Sequence, residues 1–429
     1  MTRRIFALCV FFIAAVHAGA MEGAELSEIL EIAARSNPDI YAASERIRRA
    51  REDVNAASAA MGPSLTAGAS ARRNARESFG RDREQTNAYL NLSRALYAGG
   101  SLTANRHAAE MALAAERASG VRTYQETLHN VRASYYDCLR ALAQTRVAAE
   151  AKELAGEHLK QAEALFAAGM APRGDVLRVK VSVNQSELDM ISARSSLDVS
   201  WTALERAAGA KPDRESVLKV VSGMAIDGLS PPDYDVPEDF VRLAVSGRAE
   251  VEAYKRHIER AEALILSAKG RRLPRLSVSG QLNSDGDASS SVNDEWYVGL
   301  EMQWTLYDSG EISAAVRGAQ SAKRELQERL KSVTAQVTQE ALAAEIRLRA
   351  AIERRDLARE QMNTSLEDYA IALRRYDAQM GTNLDVLDAR RALTTSRMEY
   401  VNAVYDIAHA QAGLIYAIGE DTPPKGVLE

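Results

Sequence analysis

Apolar residues recur along this chain in two rhythms. Tyr124, Leu128, Val131, Tyr135, Cys138 and Leu142 alternate spacings of four and three, the seam of a coiled coil. Leu366, Tyr369, Leu373, Tyr376 and Met380 repeat that rhythm, and Val176, Val183, Met190, Leu197 and Leu204 fall on every seventh residue. Proline shows how far such helices can run. None occurs between Pro63 and Pro172, or between Pro274 and Pro423, and one inside a helix costs about 3 kcal/mol. The pattern predicts helices over 101–168 and 311–378, each a rod of about 100 Å at 1.5 Å per residue. Shorter helices are expected over 38–60, with Asn37 as N-cap and Pro38 at the first helical position, and over 175–208. Laid end to end, the two shorter helices nearly match one rod, which suggests paired coiled coils.

The second rhythm has a period of two. Trp296, Val298, Leu300, Met302, Trp304 and Leu306 share one face, and Tyr297, Gly299, Glu301, Gln303 and Thr305 share the other. This reads as a strand over 295–307, preceded by one over 275–282 carrying Leu276, Val278, Gly280 and Leu282. A weaker pair is expected over 64–70 and 86–97, where Ala88, Leu90, Leu92 and Leu96 face one way, interrupted by Arg94. Strands of about 9–11 residues with an apolar outer face and terminal aromatics suit a membrane barrel. The competing reading is a half-buried strand pair in a soluble domain. Each pair feeds directly into a long rod, so no second layer is evident for it to pack on. Four strands cannot close a barrel, and open edges are not tolerated in lipid, so several chains are required; three would supply twelve strands. The segment 283–294 with Asp285, Gly286 and Asp287 reads as a solvated hairpin tip, since a Ca²⁺ loop would need a terminal bidentate Glu.

The chain is one unit written twice. Ala95-Leu96-Tyr97-Ala98-Gly99-Gly100 resembles Thr305-Leu306-Tyr307-Asp308-Ser309-Gly310 at an offset of 210, which also pairs Asp175-Val176-Leu177 with Asp385-Val386-Leu387 and Gly209 with Gly419. Upstream the offset is 211, pairing Pro63 with Pro274 and Ala33 with Ala244. The heptad seam, moved by 210, lands on Val386, Leu393, Tyr400, Ile407 and Leu414. Two halves in one phase imply duplication. The expected organisation is a first repeat over 21–209, a Pro/Gly/Asp-rich linker over 210–237, a second repeat over 238–420 and a tail over 421–429.

Composition and charge refine this. Arg3 and Arg4 precede an apolar run, Ile5–Val16, and Ala18-Gly19-Ala20 offers a small-x-small cleavage site, the layout of a signal peptide over 1–20. No Cys follows the run, so lipoprotein processing is not indicated. Removing those residues takes the formal net charge from −5 to −7, which argues against nucleic-acid binding. Cys138 is then the only cysteine; on an apolar seam it reads as a small buried hydrophobe. Only 6% of residues are aromatic and 10 are proline, as suits long helices. Mean hydropathy of −0.27 looks soluble, yet a few alternating strands cross a bilayer without moving a whole-chain average. No nucleotide, hydrolase, zinc or dithiol motif occurs, so neither an enzyme reading nor a cofactor or metal has support.

The ordered set resembles the TolC-like outer-membrane efflux and secretion channels. It includes Asn37-Pro38-Asp39-Ile40, the Leu-Tyr-x-x-Gly that follows the second strand of each half, and Tyr376 through Gly381-Thr382-Asn383-Leu384-Asp385-Val386-Leu387-Asp388-Ala389. Phe166-Ala167-Ala168-Gly169-Met170-Ala171-Pro172 is its first-half version. The resemblance implies a mainly α homotrimer with a small β part. Its twelve strands would form an outer-membrane barrel, and its antiparallel coiled coils a periplasmic tunnel. The partners implied are a periplasmic adaptor, an inner-membrane transporter and outer-membrane lipid.

On this resemblance Gly169, Met170, Ala171, Met380, Gly381 and Thr382 form adaptor-docking turns, with glycine as the left-handed cap. Asp385, Asp388 and Asp175 line a periplasmic gate, where carboxylates gathered on a three-fold axis would raise each other's pKa; helix-end stabilisation is the plainer role. Arg178 stands where the first half would have its second acid. Asn383 occupies a site that is basic in some members, so a salt-bridge lock there is not expected. Trp296, Val298, Leu300, Met302, Trp304, Leu90 and Leu92 face lipid. The alternative from another class is a soluble periplasmic coiled-coil scaffold or adaptor. An adaptor usually carries one hairpin and a lipoyl-like β module, whereas two hairpin units and no such module are read here.

Overall fold

The computed structural model describes residues 22–73, 84–214, 239–287, 292–424 and 426–428. The expected signal segment and most of the expected linker lie outside them. The described residues form eight helices and four strands: α1 Glu22–Ser36, α2 Pro38–Ala59, β1 Ser64–Arg73, β2 Glu84–Ala98, α3 Ser101–Ala167, α4 Arg173–Ala208, α5 Phe240–Gly247, α6 Ala249–Gly270, β3 Arg275–Asp287, β4 Val292–Gln303, α7 Glu311–Asp377 and α8 Asn383–Ile418. The long helices α3 and α7 begin and end within one residue of their expected bounds, because no proline interrupts them. Equivalent helices share their spacing to the residue: 211 for α2 and α6, 210 for α3 and α7 and for α4 and α8.

The chain divides into two compact units. The first, residues 1–42, 121–248 and 336–428, has only helices as regular elements among its described residues. Its core gathers Ile29 and Ala33 of α1, Val131, Tyr135, Cys138 and Leu139 of α3, Leu197, Trp201 and Leu204 of α4, Met362 of α7, and Tyr400, Val401 and Val404 of α8. Each large apolar side chain so buried contributes about 1.5–3 kcal/mol. Cys138 is fully buried, and burial pushes its thiol up to about 11, which keeps it an unreactive core residue. The expected seam of α7 holds at Tyr369 and Tyr376, but Leu366 and Met380 are exposed; Met380 lies past the helix end.

Two details fix the ends of this unit. Asn37 separates α1 from α2; its Oδ1 accepts from the Asp39 backbone N–H at 2.8 Å and its Nδ2 donates to the Ala207 carbonyl at 2.7 Å. Gly209 closes α4 at φ 68°, where a Cβ would lie 2.7 Å from Asn37 Cα. Beyond α8, Asp421 accepts two hydrogen bonds from Arg132, at 2.6 and 2.7 Å, and pins the chain back on α3.

The second unit, residues 43–120 and 249–335, contains one antiparallel sheet in the order β1-β2-β3-β4. Its registers are Ala67↔Leu90, Leu90↔Leu282 and Leu282↔Trp296. Three strands run further than expected. β3 continues through Asp285 to Asp287, and Asn87 Nδ2 donates to Asp285 Oδ1 at 2.7 Å from the neighbouring strand. The expected hairpin tip is therefore mostly strand, and the remaining residues, 288–291, lie outside the described ones. β4 is displaced instead: it starts at Val292 and stops at Gln303, leaving Trp304 and Leu306 beyond it. Gly99 and Gly270 meet where helix turns into strand. A Cβ on Gly99 would lie 2.1 Å from the Gly270 carbonyl oxygen, so neither position admits a side chain.

Candidate functional site

The two helix turns of the first unit share one hydrogen-bond pattern. After α3, Gly169 N–H reaches the Phe166 carbonyl at 2.9 Å and Met170 N–H the Leu165 carbonyl at 2.9 Å. After α7, Gln379 reaches Tyr376 at 3.0 Å and Met380 reaches Arg375 at 2.8 Å. Both are Schellman caps, which satisfy the last carbonyls of a helix. Gly169 takes the left-handed position at φ 73°, as expected. In the second turn that position belongs to Gln379, at φ 55°, and not to Gly381. Gly381 is needed for space: a Cβ there would sit 3.1 Å from Arg375 Cβ. Met170 and Met380 stand exposed at the two tips, and Gln379 Nε2 donates to Met170 Sδ at 3.1 Å. Ala171 is half-buried and Thr382 exposed.

The helices that leave these turns begin differently. Thr382 and Asp385 form a capping box. Asp385 N–H donates to Thr382 Oγ1 at 3.2 Å, and Thr382 N–H donates to Asp385 Oδ2 at 2.8 Å. Those bonds hold the Asp385 carboxyl below its ordinary pKa. Asp388, one turn on, is exposed and only 3.8 Å from Arg391. Pro172 opens α4 with no side-chain cap, and Asp175 pairs instead with Arg178 at 3.0 Å. Asn383 is buried and its Nδ2 donates to the Asp175 carbonyl at 3.4 Å, joining the start of α8 to that of α4.

Behind the turns lies a polar layer that the residue pattern did not reveal. Arg390 is buried, donating to the Ala151 carbonyl at 3.4 Å and to Ser182 Oγ. Burial lowers its pKa, though a guanidinium stays charged. His158 is 2% exposed and packs edge-on to Tyr376 at 5.6 Å. Burial, and then the nearby Arg390 charge, pull its pKa down to about 4. The only sequence signal was position: both occupy inward sites of helices whose other charged residues are mostly solvated.

In the second unit, Trp296, Val298, Leu300, Met302, Trp304, Leu90 and Leu92 are all exposed, Trp296 by 73%. The sheet thus presents a contiguous apolar face, a feature soluble surfaces rarely show. Its two outer edges, on β1 and β4, have no partner strand among the described residues. No described helix is long and apolar enough to cross a membrane.

The sequence matches the outer membrane efflux protein family over residues 29–210 and again over 241–420. The chain belongs to that family. It is 25% identical over 306 residues to the alkaline protease secretion protein AprF of Pseudomonas aeruginosa, covering 69% of this chain and 62% of that one. It is 22% identical over 401 residues to the outer membrane protein TolC of Vibrio cholerae, covering 92% of this chain and 90% of the other. Its fold matches that of the Campylobacter jejuni CmeC outer membrane channel with a TM-score of 0.79 at 18% identity, over 92% of this chain and 85% of that one. Membership places this efflux-family chain in the outer membrane, extending into the periplasm, and does not favour a soluble scaffold.

Proposed function

We propose that this chain is one subunit of a homotrimeric outer-membrane export channel. Each copy gives four strands to a twelve-stranded barrel and its paired helices to a periplasmic tunnel. The observation that carries the reading is the open sheet with its bare apolar face. In lipid every backbone polar group must be paired, so two free edges can be accommodated only when copies close the sheet on one another. The Schellman turns at Gly169-Met170-Ala171 and Met380-Gly381-Thr382 are the surfaces offered to a periplasmic adaptor, which links the channel to an inner-membrane transporter. Asp388, with Asp385 and Asp175 near it, lines the periplasmic entrance and favours cations there. The name of AprF supports secretion as the class of activity, and that of TolC supports the outer membrane as its place.

The test compares two lysine substitutions on β4. Leu300→Lys places a charge on the apolar face, at a cost of about 2–4 kcal/mol near the bilayer midplane. Gln303→Lys places it on the polar face. The first should abolish the heat-dissociable, detergent-resistant trimer in outer-membrane fractions, and the second should leave it intact. In the same cells, a Met170→Lys/Met380→Lys chain should assemble normally and lose export. Equal assembly of both lysine variants, or recovery of the native chain as a soluble monomer, overturns the channel reading. Undiminished export by the methionine variant overturns the docking assignment alone.

A further inference from the structure

β2 and β4 are equivalent strands that end differently. β2 runs to Ala98, whereas β4 stops at Gln303, although the 210-residue offset would carry it to Asp308. The cause is the neighbouring strand. Residues 94–98 of β2 lie beyond the end of β1, where Ser64 faces Ser93, and are held by β3 through pairs from Arg94↔Val278 to Ala98↔Arg275. Residues 304–308 lie beyond the end of β3, where Arg275 faces Gln303, and no strand among the described residues flanks them. Yet their apolar–polar alternation continues through Trp304, Thr305 and Leu306. A strand that halts where its one partner halts lacks a second partner.

The repeat specifies that partner and its alignment. Resting on the trimer reading, we infer that β4 pairs antiparallel with β1 of a second copy of this chain, with Glu301 opposite Ser70. β2 and β3 form the contact between first-half and second-half strands inside the chain, with Asn91 opposite Gln281. Moving β2 forward by 210 gives β4, and moving β3 back by 211 gives β1, so Asn91↔Gln281 becomes Glu301↔Ser70. The same operation sets Val298–Thr305 against Arg73–Thr66.

Side chains of the central pairs agree with this alignment; only at its far end does apolar Val298 fall opposite Arg73. Leu300, Met302 and Trp304 fall opposite Ala71, Ala69 and Ala67, large against small on the apolar face. Gln303, Glu301 and Gly299 fall opposite Gly68, Ser70 and Arg72 on the polar face. Glu301 and Arg72 become diagonal neighbours of opposite charge, and a Cβ on Gly299 would meet nothing within 4 Å, which leaves Arg72 room. A slip of one residue would set Leu300, Met302 and Trp304 against residues of the polar face. The alignment does not extend to the helix–strand corner: where Gly99 abuts Gly270, the equivalents are Ser309 and Ala59, whose side chains hold that corner wider.

Disulfide trapping in outer membranes of cells expressing the full chain tests the register. Directly opposed residues have Cβ atoms about 4.5–5.5 Å apart and diagonal ones about 7–8 Å, and only the former lie within reach of a disulfide. Ser70→Cys/Glu301→Cys should give reducible covalent dimers and trimers on oxidation, at least about tenfold above Ser70→Cys/Gln303→Cys and Ser70→Cys/Gly299→Cys. Asn91→Cys/Gln281→Cys, opposed within one chain, should close an intrachain bond and so proves oxidant access. Stronger trapping by either displaced pair overturns the register. Failure of all three intermolecular pairs in a chain of native trimeric mass overturns the edge-to-edge contact. A monomeric native mass instead overturns the trimer reading beneath it.

Discussion

α4 and α8 have 36 residues each and carry the same heptad seam, yet they are buried very differently. On α8, Val386, Leu393, Tyr400, Ile407 and Leu414 are all buried. On α4, Val176, Leu197 and Leu204 are buried, but Val183 and Met190 are only partly covered. α4 also leaves Leu177, Val181, Leu188, Ile191 and Val199 more than half exposed. Position 390 of α8 is a buried arginine, whereas its α4 equivalent, Lys180, is exposed and pairs with Glu163 at 3.3 Å. β2 and β4 differ in the same sense. The copy with neighbours on both sides is complete within the chain, and its counterpart at the margin is not. A heptad seam states that a helix has one neighbour; only the second apolar stripe shows that it needs another.

The largest expected effect follows from this contrast. Leu393→Ala removes a fully buried side chain from the cluster that also holds Tyr369, Tyr376 and Val386 and should cost about 2–5 kcal/mol. Val183→Ala, at the same seam position on α4, should cost about 1 kcal/mol or less, since its site is partly open. Urea midpoints of the detergent-solubilised chain check this. Equal losses would mean that the α4 seam is as well covered as that of α8.

The next effect is one of pH. His158 has a folded pKa of about 4, below the ordinary 6.5, so the unfolded chain takes up a proton that the folded chain refuses. Above pH 6.5 both states are neutral and this residue contributes nothing to the pH dependence. As pH falls toward 4, stability drops, by about 2 kcal/mol between pH 6 and pH 4.5. His158→Phe should flatten thermal midpoints across that window while leaving them near the parent value at pH 7.5. An unchanged slope would show that His158 is already protonated, or solvated, in the folded chain. The α7 equivalent, Asp368, is exposed, so the buried imidazole belongs to the first repeat alone.

Much of this was legible in the residues, for reasons that also show where reading stops. Helix ends were placed closely because proline and glycine punctuate them, and the offsets of 210 and 211 carried each boundary to its counterpart. The short helices α1 and α5 went unread, as 15 and 8 residues give too few turns for a clear period. Asn283–Asp287 read as a loop from its turn-forming residues, because the neighbouring strand that holds it is remote in sequence. Glycine drew attention to Gly381, but a Schellman cap is counted from the helix end, and the count falls on Gln379. Arg390 and His158 were invisible for another reason. A polar side chain on a charged helix looks solvated unless the packing around it is known.

The smallest effect separates two carboxylates one helical turn apart. Asp385 is engaged in the capping box, so Asp385→Ala should lower the urea midpoint. Its depressed pKa means that its contribution is present above the ordinary carboxylate range and is lost as pH falls through the lower folded value. Asp388 caps nothing and meets Arg391 only loosely, so Asp388→Ala should leave the urea midpoint unchanged. That makes Asp388 the cleaner probe of the entrance. In planar bilayers Asp388→Ala should weaken cation preference and block by divalent ions, because in the proposed trimer three equivalent carboxylates would leave the axis together. A variant with the parent's selectivity and block would confine these acids to helix-end stabilisation. The change in Asp385 is ambiguous by comparison, since loss of the cap loosens the turn that positions every group near it.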